Sequence, residues 1–152
     1  HQVISVCLTL SSGGKKMFRT LSYYSSIFYK DFVNYTSQEL QTLGLNYGSL
    51  FFLIYIGKNP DCTPSELTKA LQVDWGHSQR SITKLEESGF LTREKSDRSY
   101  HLNLTPKGLE AFQLSHQVFF DWDEANLQCL TDTEYKELLK LLQKVVDQKG
   151  CE

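Results

Sequence analysis

The sequence predicts a mainly α-helical fold with one small β-hairpin, an α+β wing on a helical body. Three observations carry this prediction. Apolar residues recur every three or four positions over most of the chain. Helix-start chemistry recurs, with capping residues at Thr63, Asp74 and Thr131. One stretch alone, Phe90 to Leu104, reads as two short strands around a polar turn, "KSDRS". The 152 residues suffice for one ordinary domain with a real core, and 40% apolar with 22% charged residues marks a globular chain.

Each element follows in order. Residues 1–16 precede the single methionine, Met17, and are set apart from the fold as an N-terminal extension, vector-derived or upstream of a misread start. The apolar run Val3 to Leu10 is too short for a membrane span and has no basic segment before it. Phe18 to Leu43 is a long aromatic helix ending at Gly44, with Leu21, Tyr24, Ile27 or Phe28, Phe32 or Asp31, Tyr35 and Leu40 at helical spacing. Asn46 to Lys58 is apolar on nearly every side and belongs at the centre of the core. "TPSELTKAL" opens a short helix with Thr63 as cap, Pro64 in the first position and Glu66 closing a capping box. After the tight connection Gln72-Val73, Asp74 caps a helix running to Ser88. Its inward positions are Ser78, Ser81 or Ile82, and Leu85; its outward ones are Trp75, His77, Gln79, Arg80, Thr83, Lys84 and Glu87.

Strands at Phe90 to Glu94 and Tyr100 to Leu104 come next. A helix then starts at Thr105-Pro106 and runs to about Cys129. A last helix begins behind the Thr131/Glu134 capping box and carries Leu138, Leu139, Leu141, Leu142, Val145 and Val146. The organisation is 17–44, a dimerisation helix; 45–105, a winged helix-turn-helix; and 106–152, further dimerisation helices. The flanking apolar stripes exceed what one subunit can cover, so a second copy about a two-fold axis is expected.

The net charge of −2 gives no general attraction to nucleic acid, but its distribution is uneven. Residues 77–107 hold six basic and four acidic side chains, whereas residues 108–152 hold four and nine. The cysteines Cys7, Cys62, Cys129 and Cys151 show no C-x-x-C spacing, and His1, His77, His101 and His116 complete no ligand motif, so neither metal nor cofactor is expected. Unpatterned cysteines suit a reducing cytoplasm. No nucleophile elbow or Gly-rich phosphate loop is present, which excludes the common enzyme classes.

Two short helices, a tight turn and a hairpin make a winged helix-turn-helix, whose second helix enters the DNA major groove. Arg80 suits guanine and Gln79 adenine. His77, Thr83 and Lys84 reach bases or phosphates, and Trp75 either meets DNA or packs on the preceding helix. Arg98 at the hairpin tip, with Arg93 and Lys95 beside it, suits a narrow minor groove. A winged-helix module that binds protein instead of DNA is the competing reading, favoured only by the near-neutral charge.

The fragments "SELTKAL", "SITKLEESGFLTR", "SDR" and "LNLTPKG", in this order and spacing, make the chain from about Phe18 to Val146 resemble the MarR family of bacterial transcription regulators. The resemblance implies a dimer formed by the first and last two helices, a pseudo-palindromic operator in double-stranded DNA, and a repressor. Ser65 joins the DNA-contacting set, Arg80 matches the recognition-helix arginine, and Arg98 matches the wing arginine with Asp97 bracing it. Ser99 stands where a second arginine is common. Thiol oxidation near the start of the first helix is one sensing route in the family; Ser22 at the matching position closes it. The other is a small aromatic or anionic effector, for which Tyr24, Phe28, Tyr47, Phe51, Phe112, His116 and Phe119 are the candidate lining.

Overall fold

The computed structural model describes residues 19–150; the N-terminal extension, Met17, Phe18, Cys7 and Cys151 lie outside them. The chain folds as α1 (Leu21–Leu40), a 3-10 turn (Gln41–Leu43), α2 (Tyr47–Lys58), α3 (Pro64–Leu71), α4 (Trp75–Glu87), β1 (Leu91–Ser96), β2 (Ser99–Leu104), α5 (Pro106–Asn126) and α6 (Asp132–Lys149). This is the mainly helical winged fold that the periodicity predicts.

α2 is the centre of the core. Its Leu50, Phe52, Leu53 and Ile56 are buried against Leu67 of α3, Ile82 and Leu85 of α4, Leu102 of β2, and Ala111 and Val118 of α5. α3 starts on the expected capping box. Glu66 N donates to Thr63 Oγ1 and Thr63 N donates to Glu66 Oε2, each at 3.1 Å. The tight connection after α3 works because Gln72 takes a left-handed φ of 55°. Asp74 then caps α4 by accepting from His77 N at 2.8 Å, and Ser78, Ile82 and Leu85 face inward. The Thr68 and Ser78 hydroxyls lie 2.6 Å apart and tie α3 to α4.

The hairpin is longer and tighter than the sequence suggests. Instead of a five-residue turn, Lys95 pairs with Tyr100 and Ser96 with Ser99, leaving Asp97-Arg98 as a two-residue loop. Asp97 makes this possible with a φ of 56°, a left-handed conformation that aspartate tolerates better than most side chains. The loop behind α2 adds a rung: Leu102 N donates to Cys62 O at 2.8 Å and Asp61 N to Leu102 O at 3.0 Å.

The "TPKG" segment locks α5 onto the end of α4. Thr105 Oγ1 accepts from Gly108 N at 3.0 Å and donates to Gly89 O at 2.6 Å. Lys107 Nζ donates to Ser88 O at 2.7 Å and lies over the Phe90 ring. α5 ends at Asn126, three residues before the expected Cys129, because the chain turns through Leu127–Leu130 into the Thr131 cap of α6. α1 crosses α5 through Phe32, Phe119 and Trp122, and Trp122 Nε1 donates to buried Asp31 at 2.9 Å. α6 buries none of its own residues. Among the described residues, no helix is long and apolar enough to cross a membrane.

Candidate nucleic-acid interface

The outward side of α4 sorts the expected contacts into two groups. Trp75 is 56% exposed and makes no ring contact among the described residues, and Arg80 and Lys84 are open to solvent. Ser65, in the first turn of α3, is also exposed. The others are partly committed inside the protein. The His77 ring stands edge-on to Phe52, with centroids 6.1 Å apart. The Gln79 side-chain nitrogen is buried with no hydrogen-bond partner. Thr83 Oγ1 accepts from Arg93 Nη2 at 3.0 Å, and Arg93 Nε lies 3.7 Å from Glu86. Arg93 therefore braces β1 against α4, an internal task that the sequence did not reveal.

At the wing, Lys95 Nζ sits 6.0 Å from the Tyr100 ring centroid. Arg98 is exposed at the tip, and no ion pair joins it to Asp97 among the described residues. The base of the wing is fixed from the opposite side. Asn103 exchanges two hydrogen bonds with Asp61, at 2.8 and 3.2 Å, and His101 Nδ1 lies 3.0 Å from the Asp61 carbonyl.

One neighbour of α4 escaped sequence reading. A groove of about 200 Å3 runs from Asn46, Gly48 and Ser49 at the start of α2 to His77, Ser81 and Lys84. Asn46 lines this groove and makes no side-chain cap to α2, so the first backbone N–H groups of that helix take no bond from its side chain. The only signal in the sequence was a capping-type residue ahead of a long apolar helix.

The residues expected around an effector converge only in part. Phe28, Tyr47 and Phe51 share one aromatic cluster, linked through Phe32, Phe119 and Trp122. Phe112 and His116 run along another line with Phe120, and Tyr24 pairs with Tyr23. A cleft of about 330 Å3 opens beside the first cluster, lined by Phe28, Tyr29, Phe32, Phe119, Trp122 and Asp123 together with Ser25. Trp122 and Phe32 were missed as liners. Their spacing was the available signal, since Phe119 and Trp122 stand three apart on one helical face. Burial pushes the Cys62 thiol up to about 11, which keeps it protonated and unreactive at neutral pH.

The sequence pattern of the MarR family matches residues 43–99, from the end of the 3-10 turn to the tip of the wing. The HTH-type transcriptional regulator BilQ of Clostridium symbiosum (strain WAL-14163) is 42% identical over 132 residues, covering 85% of this chain and 92% of that protein. The chain is a MarR-family transcriptional regulator. The fold agrees with that assignment. The crystal structure of MarR superposes on this MarR-family chain with a TM-score of 0.79 at 26% identity, covering 90% of this chain and 95% of the other. The S. aureus MepR–DNA complex shares the fold, with a TM-score of 0.76 at 19% identity over 86% of this chain and 98% of MepR.

Proposed function

We propose that this regulator binds a pseudo-palindromic operator as a homodimer in the cytoplasm and represses transcription until a small molecule releases it. One observation carries the DNA-reading part. Arg80, Lys84 and Trp75 are exposed on the helix that the wing braces, while Arg98 is exposed at the wing tip. Arg80 is suited to a guanine edge and Arg98 to a narrow minor groove. Lys84, His77 and the α2 N-terminus are suited to phosphates. The fold shared with MepR, which is solved on DNA, supports the same reading.

The effector cleft beside α1 and α5 is lined by aromatic rings and Asp123 and by no basic side chain. An aromatic ligand therefore fits better than an anionic one, whose charge would meet a carboxylate there. A ligand preferring a recognition-helix spacing other than one DNA turn, ~34 Å, would release the operator.

Selection from a random duplex pool tests the function directly. A two-fold symmetric motif is expected, and recovery of no motif would remove the DNA-reading role. Arg98→Ala is expected to weaken binding most where the flanks are A·T-rich; equal affinity on all flanks would take the wing out of the interface.

A further inference from the structure

We propose that Gly76 and Asp74 aim Arg80, and that Gly76 is thereby a specificity-determining position of the DNA-reading face; the inference rests on the recognition role given to Arg80 above. Gly76 and Arg80 are four residues apart, so one overlies the other on α4, and helical side chains lean toward the helix N-terminus. The guanidinium follows that direction. A Cβ added at Gly76 would stand 3.1 Å from Arg80 Nη1 and 3.3 Å from Asp74 Oδ1. The open space over Gly76 is thus the lane in which the Arg80 head lies, with the Asp74 carboxylate bordering the same space.

Asp74 is itself fixed, because it accepts the His77 N–H at 2.8 Å. Its carboxyl is held below the usual range chiefly by that N–H and to a lesser degree by the nearby Arg80 charge. The first turn of a recognition helix is the end nearest the base edges. Arg80 starts in the middle of α4, so lying back over Gly76 is what brings its donors to that end.

Helix chemistry alone would disfavour this residue. A glycine inside a helix is less stable than alanine, by roughly 1 kcal/mol. An alanine at position 76 would improve the helix while displacing the Arg80 head by a few tenths of an ångström. Stability and discrimination therefore move in opposite directions, which separates a positioning role from a merely structural one.

The probe is the duplex that the wild-type protein selects from a random pool. It is compared with duplexes carrying A·T in place of each G·C pair of the half-site, and the readout is the ratio of affinities. Gly76→Ala is expected to melt no lower than wild type while the ratio at one pair falls about tenfold. Asp74→Asn, which keeps an acceptor for the His77 N–H and removes the charge, is expected to lower the ratio at the same pair. Arg80→Ala abolishes the ratio there, and adding Gly76→Ala to it costs nothing more.

A Gly76→Ala protein with the wild-type ratio would overturn the inference. So would a further loss in the double variant, since Gly76 would then act apart from Arg80. If Arg80→Ala selects the wild-type motif, the Arg80 assignment and this inference fall together while the DNA-reading function stands. If the wild type selects no motif, all three fall.

Discussion

A methyl group at Gly108 would collide with the carbonyl oxygen of Phe90, the same oxygen that accepts from Thr105 N at 3.1 Å. Gly108 is buried, and its absent side chain lets the first turn of α5 rest on the strand entrance. Alanine is a better helix former, so a purely local argument predicts a more stable variant. The packing argument predicts the reverse. Gly108→Ala is expected to lower stability by about 1–3 kcal/mol in urea denaturation, the usual cost of overpacking. A variant as stable as wild type would overturn the close docking of α5 on the Phe90 carbonyl. The same contrast separates Arg93 from Arg98. Both are basic residues of the hairpin, yet Arg93 is spent on Thr83 and Glu86 while Arg98 keeps its donors free. Composition made them equal, and only their neighbours distinguish them.

At the scale of elements, the helix starts were the most readable part of the chain. Thr63, Asp74 and Thr131 cap as expected and Thr105 caps α5 in the same way, because a cap is decided by residues three positions apart, whereas α1 begins at Leu21 behind Thr20, three residues after the expected start. Thr63→Ala is expected to cost about 1 kcal/mol, seen as a lower denaturation midpoint with unchanged slope. Glu134 supplies a pH test. The Thr131 N–H and hydroxyl hold its carboxyl below the usual range. A lowered folded pKa means that its stabilisation is complete above the ordinary glutamate range and is lost as pH falls through the lowered value. Glu134→Gln should therefore flatten the fall in melting temperature on the acid side, and an unchanged acid profile would count against the capping role. The hairpin was less readable. The alternation of Tyr100, Leu102 and Leu104 showed a strand, but the left-handed φ at Asp97 that shortens the loop to two residues depends on pairing across the ladder.

For the whole molecule, the telling surface is α6. Leu141 is 53% and Val146 60% exposed, and the helix buries nothing of its own. Its main tie to the rest is Tyr135, whose hydroxyl donates to Asp123 at 2.6 Å. An amphipathic helix with an uncovered apolar stripe is marginal in water. Leu21, Phe28 and Phe120 leave comparable surface open on α1 and α5. A two-fold partner covers such surface at least cost, so light scattering is expected to give twice the chain mass. Leu141→Asp is expected to shift the protein toward monomer and to weaken operator binding with it. A wild-type monomer at micromolar concentration would end the dimer argument.

What the sequence determined by itself was local: helix spans, caps, the strand alternation and the order of elements that carries the family resemblance. Each depends on residues within a few positions of one another, and short-range sterics and hydrogen bonding decide those wherever the segment lies. The tertiary structure decided the partnerships between distant residues. Trp122 reaches Asp31 across 91 positions, Asn103 meets Asp61 across 42, and the candidate effector residues divide between separate aromatic clusters. Arg80 lies between these cases. Its type and place on α4 were visible in the sequence, but the lane over Gly76 that directs it is a property of packed atoms. Periodicity says which face a side chain leaves from, and only its neighbours decide where its end comes to rest.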